Sequence, residues 1–393
     1  MVHSKKFLYL VLTLSVFTGQ FAEAQKNIPH LKKQGTATLL IVEGKPFLVL
    51  GGELGNSTAS DLNYLKPFWQ NFKTMNLNTI LAPVYWELME PKEGKFDFTH
   101  VDGLINDARK YKMKLVLLWF GSWKNSISCY APVWVKTNLN RFPRSQKKEG
   151  QGMEILTPFS RENLEADKKA FASLMKHLRE SDRREQTVIM VQVENEVGMI
   201  PEARDYCGKA NELFNAEVPV ELMSYLQEHK EQLIPEFREF WSDNDFKRSG
   251  TWEKVFGNSV FTDEVFMAWY YSQYINEIAA AGKKEYPLPM FVNAALVREG
   301  YKPGQYPSAG PLPHLMDIWR AGAPQSIFFR PIFISPTFRS GAGNIIGRKI
   351  HCSFPKQAAT TKVLQEYSML LGNMTLSVFP LFPLNPSILQ LIA

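Results

Sequence analysis

A chain of 393 residues, 45% hydrophobic and 21% charged, has the composition of an ordinary globular protein, not of a disordered or fibrous one, and is long enough for one barrel of about 250 residues plus insertions. The net charge of +6 is uneven: Arg330, Arg339, Arg348, Lys349, Lys356 and Lys362 are opposed only by Glu366 after residue 325, and Lys5 and Lys6 by Glu23 before residue 25. The neutral remainder, residues 25–325, gives no electrostatic reason to expect nucleic acid or an anionic membrane as partner.

Lys5 and Lys6 precede an apolar run from Phe7 to Phe17, and Ala22-Glu23-Ala24 supplies small residues for a cleavage site. The pattern predicts a secretory signal peptide over residues 1–24 and a secreted or periplasmic mature chain. The competing reading, a membrane anchor, suffers from a run too short to span a bilayer, so no membrane span is expected after cleavage. Cys129, Cys207 and Cys352 are too few and too widely spaced for a disulfide framework or a zinc site.

From residue 36 apolar runs alternate with amphipathic stretches, as in βα units around a parallel sheet. Thr38–Val42 and Pro46–Leu50 flank Glu43-Gly44-Lys45 as a hairpin at the mouth or floor of a barrel. Phe47–Glu53 runs on into a first barrel strand, Asn78–Trp86 is a second, and a helix over Val101–Tyr111 leads to a third, Lys114–Trp119. A helix over Phe159–Arg179 precedes the fourth strand, Thr187–Val193. These runs are apolar throughout, as strands buried on both faces require. Residues 199–287 read as a helical insertion, with a helix over Val220–His229 and another opening at Thr262-Asp263-Glu264, where Thr262 can cap the first turn. Val265, Phe266, Trp269, Tyr270 and Tyr274 form the apolar face of that last helix. Pro289–Ala294 is a fifth strand. The predicted fold class is α/β, a (β/α)8 TIM barrel left incomplete after residue 325, with domain limits of 25–325 for the barrel and 326–393 for an aberrant tail.

Val191-Gln192-Val193-Glu194-Asn195-Glu196 is the segment that carries chemistry. Glycosidic hydrolysis needs two carboxyl groups across the scissile bond, and a barrel presents such groups where its strands end. Here an apolar strand closes in three polar residues. By strand alternation Glu194 and Glu196 share one face and Asn195 takes the other. A solvated loop start with two surface acids is the plain alternative.

The segment Gln192–Gly198 resembles the fourth-strand motif of retaining β-glycosidases, nearest to the β-galactosidases of glycoside hydrolase families 35 and 42. Asn78-Thr79-Ile80, Tyr85-Trp86-Glu87, Glu90-Pro91, Gly94 and Phe96-Asp97-Phe98 resemble the family block that starts at the second strand, and Gly51-Gly52-Glu53 resembles the end of the first. The resemblance implies Glu196 as acid/base and Asn195 as a hydrogen-bonding partner of the sugar 2-hydroxyl. It implies Glu53, Tyr85, Trp86 and Glu87 as residues of the sugar cleft, and an oligosaccharide or polysaccharide carrying terminal β-galactosides as substrate. It departs from family 35 at the third strand, which ends in Trp119-Phe120-Gly121-Ser122-Trp123-Lys124-Asn125 with no Glu. Tyr85, Trp86, Trp119 and Trp123 fit stacking on sugar rings and fit core packing equally well. With no Gly-rich phosphate loop and no His/Cys metal set, neither cofactor nor metal is implied.

A retaining enzyme also needs a nucleophilic Glu at the end of a seventh strand, and none is identified. Glu285 precedes the fifth strand, Glu299 lies in a Gly-rich loop, and Glu366 sits in a polar stretch. Composition changes sharply at Gln325, and a shifted reading frame accounts for it. Ser326–Ile334 can be back-translated so that the frame two bases on reads DFLSPDIY. His351–Gln357 can likewise give PLFIPEA, an apolar run ending in Pro-Glu like the family's nucleophile strand. Sequencing the DNA across codon 325 tests this. As written, the chain is a retaining, β-galactosidase-like hydrolase or, without its nucleophile, a non-catalytic carbohydrate-binding barrel; an endo-glucanase or mannanase type is a third reading.

Overall fold

The computed structural model describes residues 28–35, 37–295, 297 and 300–323, together with the backbone of strands Phe328–Phe329 and Met374–Ser377. A small antiparallel sheet comes first, of β1 (His30–Gln34), β2 (Ala37–Val42) and β3 (Lys45–Pro46). The expected hairpin is present, but its second strand is only two residues long, and β1 pairs with its other side. Its turn settles the choice between mouth and floor. Lys114 Nζ reaches Glu43 at 2.5 Å, and the Glu43 amide donates to Gln186 Oε1 at 3.0 Å. Both partners stand where barrel strands begin, so the hairpin closes the floor.

The main sheet contains β4 (Gly51–Leu54), β5 (Thr79–Tyr85), β6 (Lys114–Phe120), β9 (Val188–Gln192), β10 (Met290–Val292), β11 (Phe328–Phe329) and β12 (Met374–Ser377). A two-stranded excursion, β7 (Arg144–Gln146) with β8 (Gly152–Leu156), interrupts it after β6. From β4 to β11 every neighbour is parallel, and the order in space follows the order in sequence. A doubly wound sheet would reverse direction at a switch point, whereas unbroken sequential order is what a βα barrel requires. The fold is therefore α/β with barrel topology. Among the described residues the sheet is not closed; β12 lies antiparallel against β4 at its free edge, an arrangement the sequence did not suggest. The expected nucleophile strand and the reading-frame change lie outside the described residues, as does the signal segment.

β5 and β9 are buried along their whole length. Pro83 is tolerated in the middle of β5 because pairing with β4 ends at Leu81, so its missing N–H costs no ladder bond on that side. Helices cover the sheet with the spacing expected of an apolar stripe. Thr99–Lys110 buries Val101, Leu104, Ile105 and Ala108, and Arg161–Ser181 buries Leu164, Phe171, Leu174, Met175 and Leu178.

Residues 199–287 are helical as expected, and the last helix, Val260–Glu285, packs along Arg161–Ser181. The fit is close: a Cβ on Gly282 would collide with the Phe171 ring. Here the expected N-cap is corrected. Ser259 is the cap, its hydroxyl accepting from the Thr262 amide at 3.3 Å, while Thr262 is buried in the first turn and donates to the Gly257 carbonyl at 2.5 Å. Val265, Phe266, Trp269 and Tyr274 are buried as the apolar face predicts, and Tyr270 is partly covered.

Candidate active site

β9 ends at Gln192, before the polar triplet, and the chain beyond it is not extended. Glu194 has φ 60° and Glu196 φ 46°, the left-handed region that non-glycine residues seldom enter. Two such residues around Asn195 persist only if the surroundings fix them, and here they do. Gln192 Nε2 donates to the Glu194 carbonyl at 2.9 Å and to Asn195 Oδ1 at 2.8 Å. Asn195 Nδ2 donates to the Lys124 carbonyl at 2.7 Å, and Asn293 Nδ2 to Asn195 Oδ1 at 2.9 Å. The Glu196 amide donates to Asn293 Oδ1 at 2.7 Å. Asn195 is buried, its oxygen filled twice and one of its two N–H groups used.

This overturns the expectation that Glu194 and Glu196 share a face, because alternation fails once the backbone turns left-handed. Glu194 is fully buried, accepting from the amides of Trp123 at 2.8 Å, Ser122 at 3.2 Å and Gly121 at 3.3 Å. Glu196 is only partly covered; Lys124 acts on its charge, and its own charge acts on Glu53.

Glu53, on β4, completes the centre. Its Oε2 is buried without a hydrogen-bond partner. Burial first, and the Glu196 charge second, lift its pKa from 4.5 to about 7. The Glu196 carboxyl is also raised by burial, with Lys124 pulling the other way. Two carboxyl groups with raised proton affinity thus stand within electrostatic reach of each other at the carboxyl ends of β4 and β9. That is the face on which barrel enzymes build their sites.

The aromatic candidates go elsewhere. Tyr85 and Trp86 are core residues, 1% and 0% exposed, with Tyr85 Oη donating to the Asn56 carbonyl and Trp86 Nε1 to Glu90 Oε2, each at 2.8 Å. Trp86 does not extend β5 but opens the short helix Trp86–Met89. Packing, not sugar stacking, is the role the structure gives them, since rings this deep present no face to solvent. Trp119 and Trp123 are equally buried. Glu87, on the same short helix, is half-covered and pairs with Lys136 at 3.2 Å. Glu285 ends its helix paired with Arg179 at 2.9 Å. Lys124, Asn293 and Asp167 were not singled out in the sequence. Among the described residues no group of three His, Cys, Asp or Glu side chains could hold a metal, and no helix is long and apolar enough to cross a membrane.

Residues 62–257 match the family model of the glycoside hydrolase 42 β-galactosidases. Over that stretch, just under half of its length, the chain resembles the β-galactosidases of that family. A β-galactosidase of Xanthomonas manihotis is 29% identical over 111 residues, a stretch that is 28% of this chain and 18% of that protein. This 35/42-like chain therefore spans about a fifth of that relative. Among solved structures, the β-galactosidase of Bacillus circulans sp. alkalophilus overlaps 63% of this chain and 36% of its own at 15% identity and TM-score 0.41. A catalytic mutant of a family 42 β-galactosidase from G. stearothermophilus overlaps 65% and 36%, at 15% identity and TM-score 0.42. The catalytic domain of a Paenibacillus polymyxa β-amylase overlaps 72% and 77%, at 12% identity and TM-score 0.45.

Proposed function

We propose that the chain is a retaining glycoside hydrolase that removes terminal β-galactosyl groups from oligosaccharides or polysaccharides, with Glu196 as its acid/base and a working place outside the cytoplasm. One observation carries the reading: Glu196, its proton affinity raised by burial, emerges at the carboxyl end of β9 beside a second buried carboxyl, Glu53. A general acid must hold its proton near the working pH, and a site that disfavours the carboxylate by burial supplies that property. In this reading Glu196 protonates the leaving glycosidic oxygen and later takes a proton from water.

Asn195 meets the sugar 2-hydroxyl as a donor, because its oxygen already accepts two hydrogen bonds. Glu53, holding a proton near neutrality and with one oxygen unpartnered, supplies a donor and an acceptor to a sugar hydroxyl. Glu87 lines the approach. The resemblance calls for a nucleophilic Glu at the end of a seventh strand, and none is identified in this chain. The full chain, incubated with nitrophenyl β-galactoside, β-glucoside and β-mannoside, is expected to release nitrophenol from the galactoside first. Turnover of another glycoside alone would redirect the substrate assignment. Sugar binding without any turnover would favour a non-catalytic carbohydrate-binding barrel.

A further inference from the structure

Behind the polar turn that carries Glu196 lies a second pair of carboxyl groups, one that touches no cleft. Asp167 belongs to the helix Arg161–Ser181 and is fully buried on its apolar stripe, between Leu164 and Phe171. It accepts from Trp119 Nε1 at 2.9 Å, from the Ser122 amide at 3.1 Å and, in a short contact, from the Ser122 hydroxyl. Glu194 takes the three amides that follow β6, and the Ser122 amide is shared between the two carboxyl groups, 3.2 Å from Glu194 Oε1 and 3.1 Å from Asp167 Oδ2. The seam has no room to spare: a Cβ on Gly121 would lie 2.5 Å from Glu194 Oε1 and 2.8 Å from Asp167 Oδ1.

We propose that Glu194 and Asp167 are a positioning pair, a carboxylic acid donating its proton to a carboxylate, which welds the segment after β6 to the turn after β9 and so fixes the direction of Glu196. Two anions in a dry site cannot both be sustained, and one proton between them removes the conflict while leaving every lone pair with a donor. Burial raises the proton affinity of both groups; the bond draws Asp167 back toward its ionised form, while the Asp167 charge and the bond add to the rise in Glu194. Tyr274 on Val260–Glu285 also packs against the pair, its hydroxyl 3.0 Å from Ser122 Oγ and held in its neutral form by burial. The weld matters because the turn it anchors contains both left-handed residues, and Lys124, which faces Glu196, follows directly on the anchored segment.

The pair rests on the shared Ser122 amide and on the crowding of both carboxyl groups against Gly121; its consequence for catalysis rests on the role proposed for Glu196. The test uses the full chain labelled with 13C in its Glu and Asp carboxyl groups, titrated by NMR, with the Glu194 and Glu196 resonances assigned by their loss in Glu194→Gln and Glu196→Gln. In the native chain the Glu194 carboxyl is expected to keep its proton well above the pH at which an ordinary Glu ionises. Asp167→Asn is expected to lower the Glu194 midpoint by about one unit or more, since the neighbouring anion is gone.

Glu194→Gln, whose amide donates to Asp167 as the acid did, is expected to leave the raised Glu196 midpoint in place. Glu194→Ala is expected to lower it by about one unit as the turn opens to water, with melting followed separately to show that the chain is folded. A Glu194 resonance that ionises like an exposed Glu, or a Glu194 midpoint unmoved by Asp167→Asn, overturns the pair. An unchanged Glu196 midpoint in a folded Glu194→Ala chain overturns its positioning role. A chain that hydrolyses no galactoside would remove the proposed function and leave these titrations readable.

Discussion

Glu53 on β4 and Glu196 beyond β9 lie on different strands of the sheet, yet the charge of the second raises the proton affinity of the first. That relationship gives the site a definite pH response. Burial first, with the Glu196 charge second, raises Glu53 from 4.5 to about 7, so the folded chain binds this proton more tightly than the unfolded chain. The associated stability is fully present below the unfolded pKa and is lost as pH rises through about 7. The span corresponds to on the order of 3 kcal/mol. Urea unfolding at about pH 5 and about pH 8 is expected to show the native chain weakening with pH, and Glu53→Gln weakening much less. Parallel losses in the two chains would rule out the assignment.

Gly121 is a second pressure point. Because its missing Cβ is replaced by two carboxyl oxygens at 2.5 and 2.8 Å, Gly121→Ala must push the β6 exit off Glu194 and Asp167. Overpacking of this kind costs about 1–3 kcal/mol. A drop in melting temperature is expected, together with weaker binding of galactose by calorimetry. An unchanged melting temperature would mean that the seam yields more easily than its geometry indicates.

Glu264 anchors the far side of the helical insertion. Fully buried, it accepts from Tyr306 Oη at 3.0 Å and the Ala309 amide at 3.1 Å, and it pairs with His314 at 2.8 Å. Glu264→Ala strands all three partners, and removing one member of a buried pair costs roughly 3–5 kcal/mol. Denaturant unfolding should register a loss of that size; a loss below about 1 kcal/mol would show that water replaces the carboxylate freely.

The cap of Val260–Glu285 offers a smaller test. Ser259→Ala removes the side chain that accepts from Thr262 N and is expected to lower stability by about 1 kcal/mol. Thr262→Val should also destabilise, for a different reason, since it leaves the Gly257 carbonyl without its 2.5 Å donor inside the protein. Thermal melts of both variants distinguish cap from buried donor: loss in Thr262→Val alone would contradict the cap.

What could be read from the sequence divides along physical lines. The buried strands were legible to within a few residues because an apolar run such as Val188–Gln192 fits no other environment. Glu196 and Asn195 were legible as polar groups closing such a run. Their directions were not, because alternation presumes extended backbone and Glu194 leaves it at φ 60°. Tyr85 and Trp86 were ambiguous for a plain reason: an aromatic ring at a strand end suits a cleft and a core alike, and only packing decides.

Asp167 was visible in principle. The spacing Leu164, Asp167, Phe171, Leu174 sets one acid on an otherwise apolar helix face, and a charge there demands a buried partner. Asn293 closes the fifth strand as Asn195 closes the fourth, but a single amide carries no signal until its neighbour across the sheet is known. The edge strand Met374–Ser377 could not be anticipated, since pairing between β4 and a segment more than 300 residues later leaves no local pattern.

The most direct measurement compares the native chain with Glu196→Gln on nitrophenyl β-galactoside, alongside galactose binding by calorimetry. Loss of a positioned general acid should reduce kcat by about 10²–10⁴-fold, with galactose still bound. Equal turnover by the two chains, or loss of galactose binding together with activity in a variant that melts like the native chain, would contradict a catalytic Glu196.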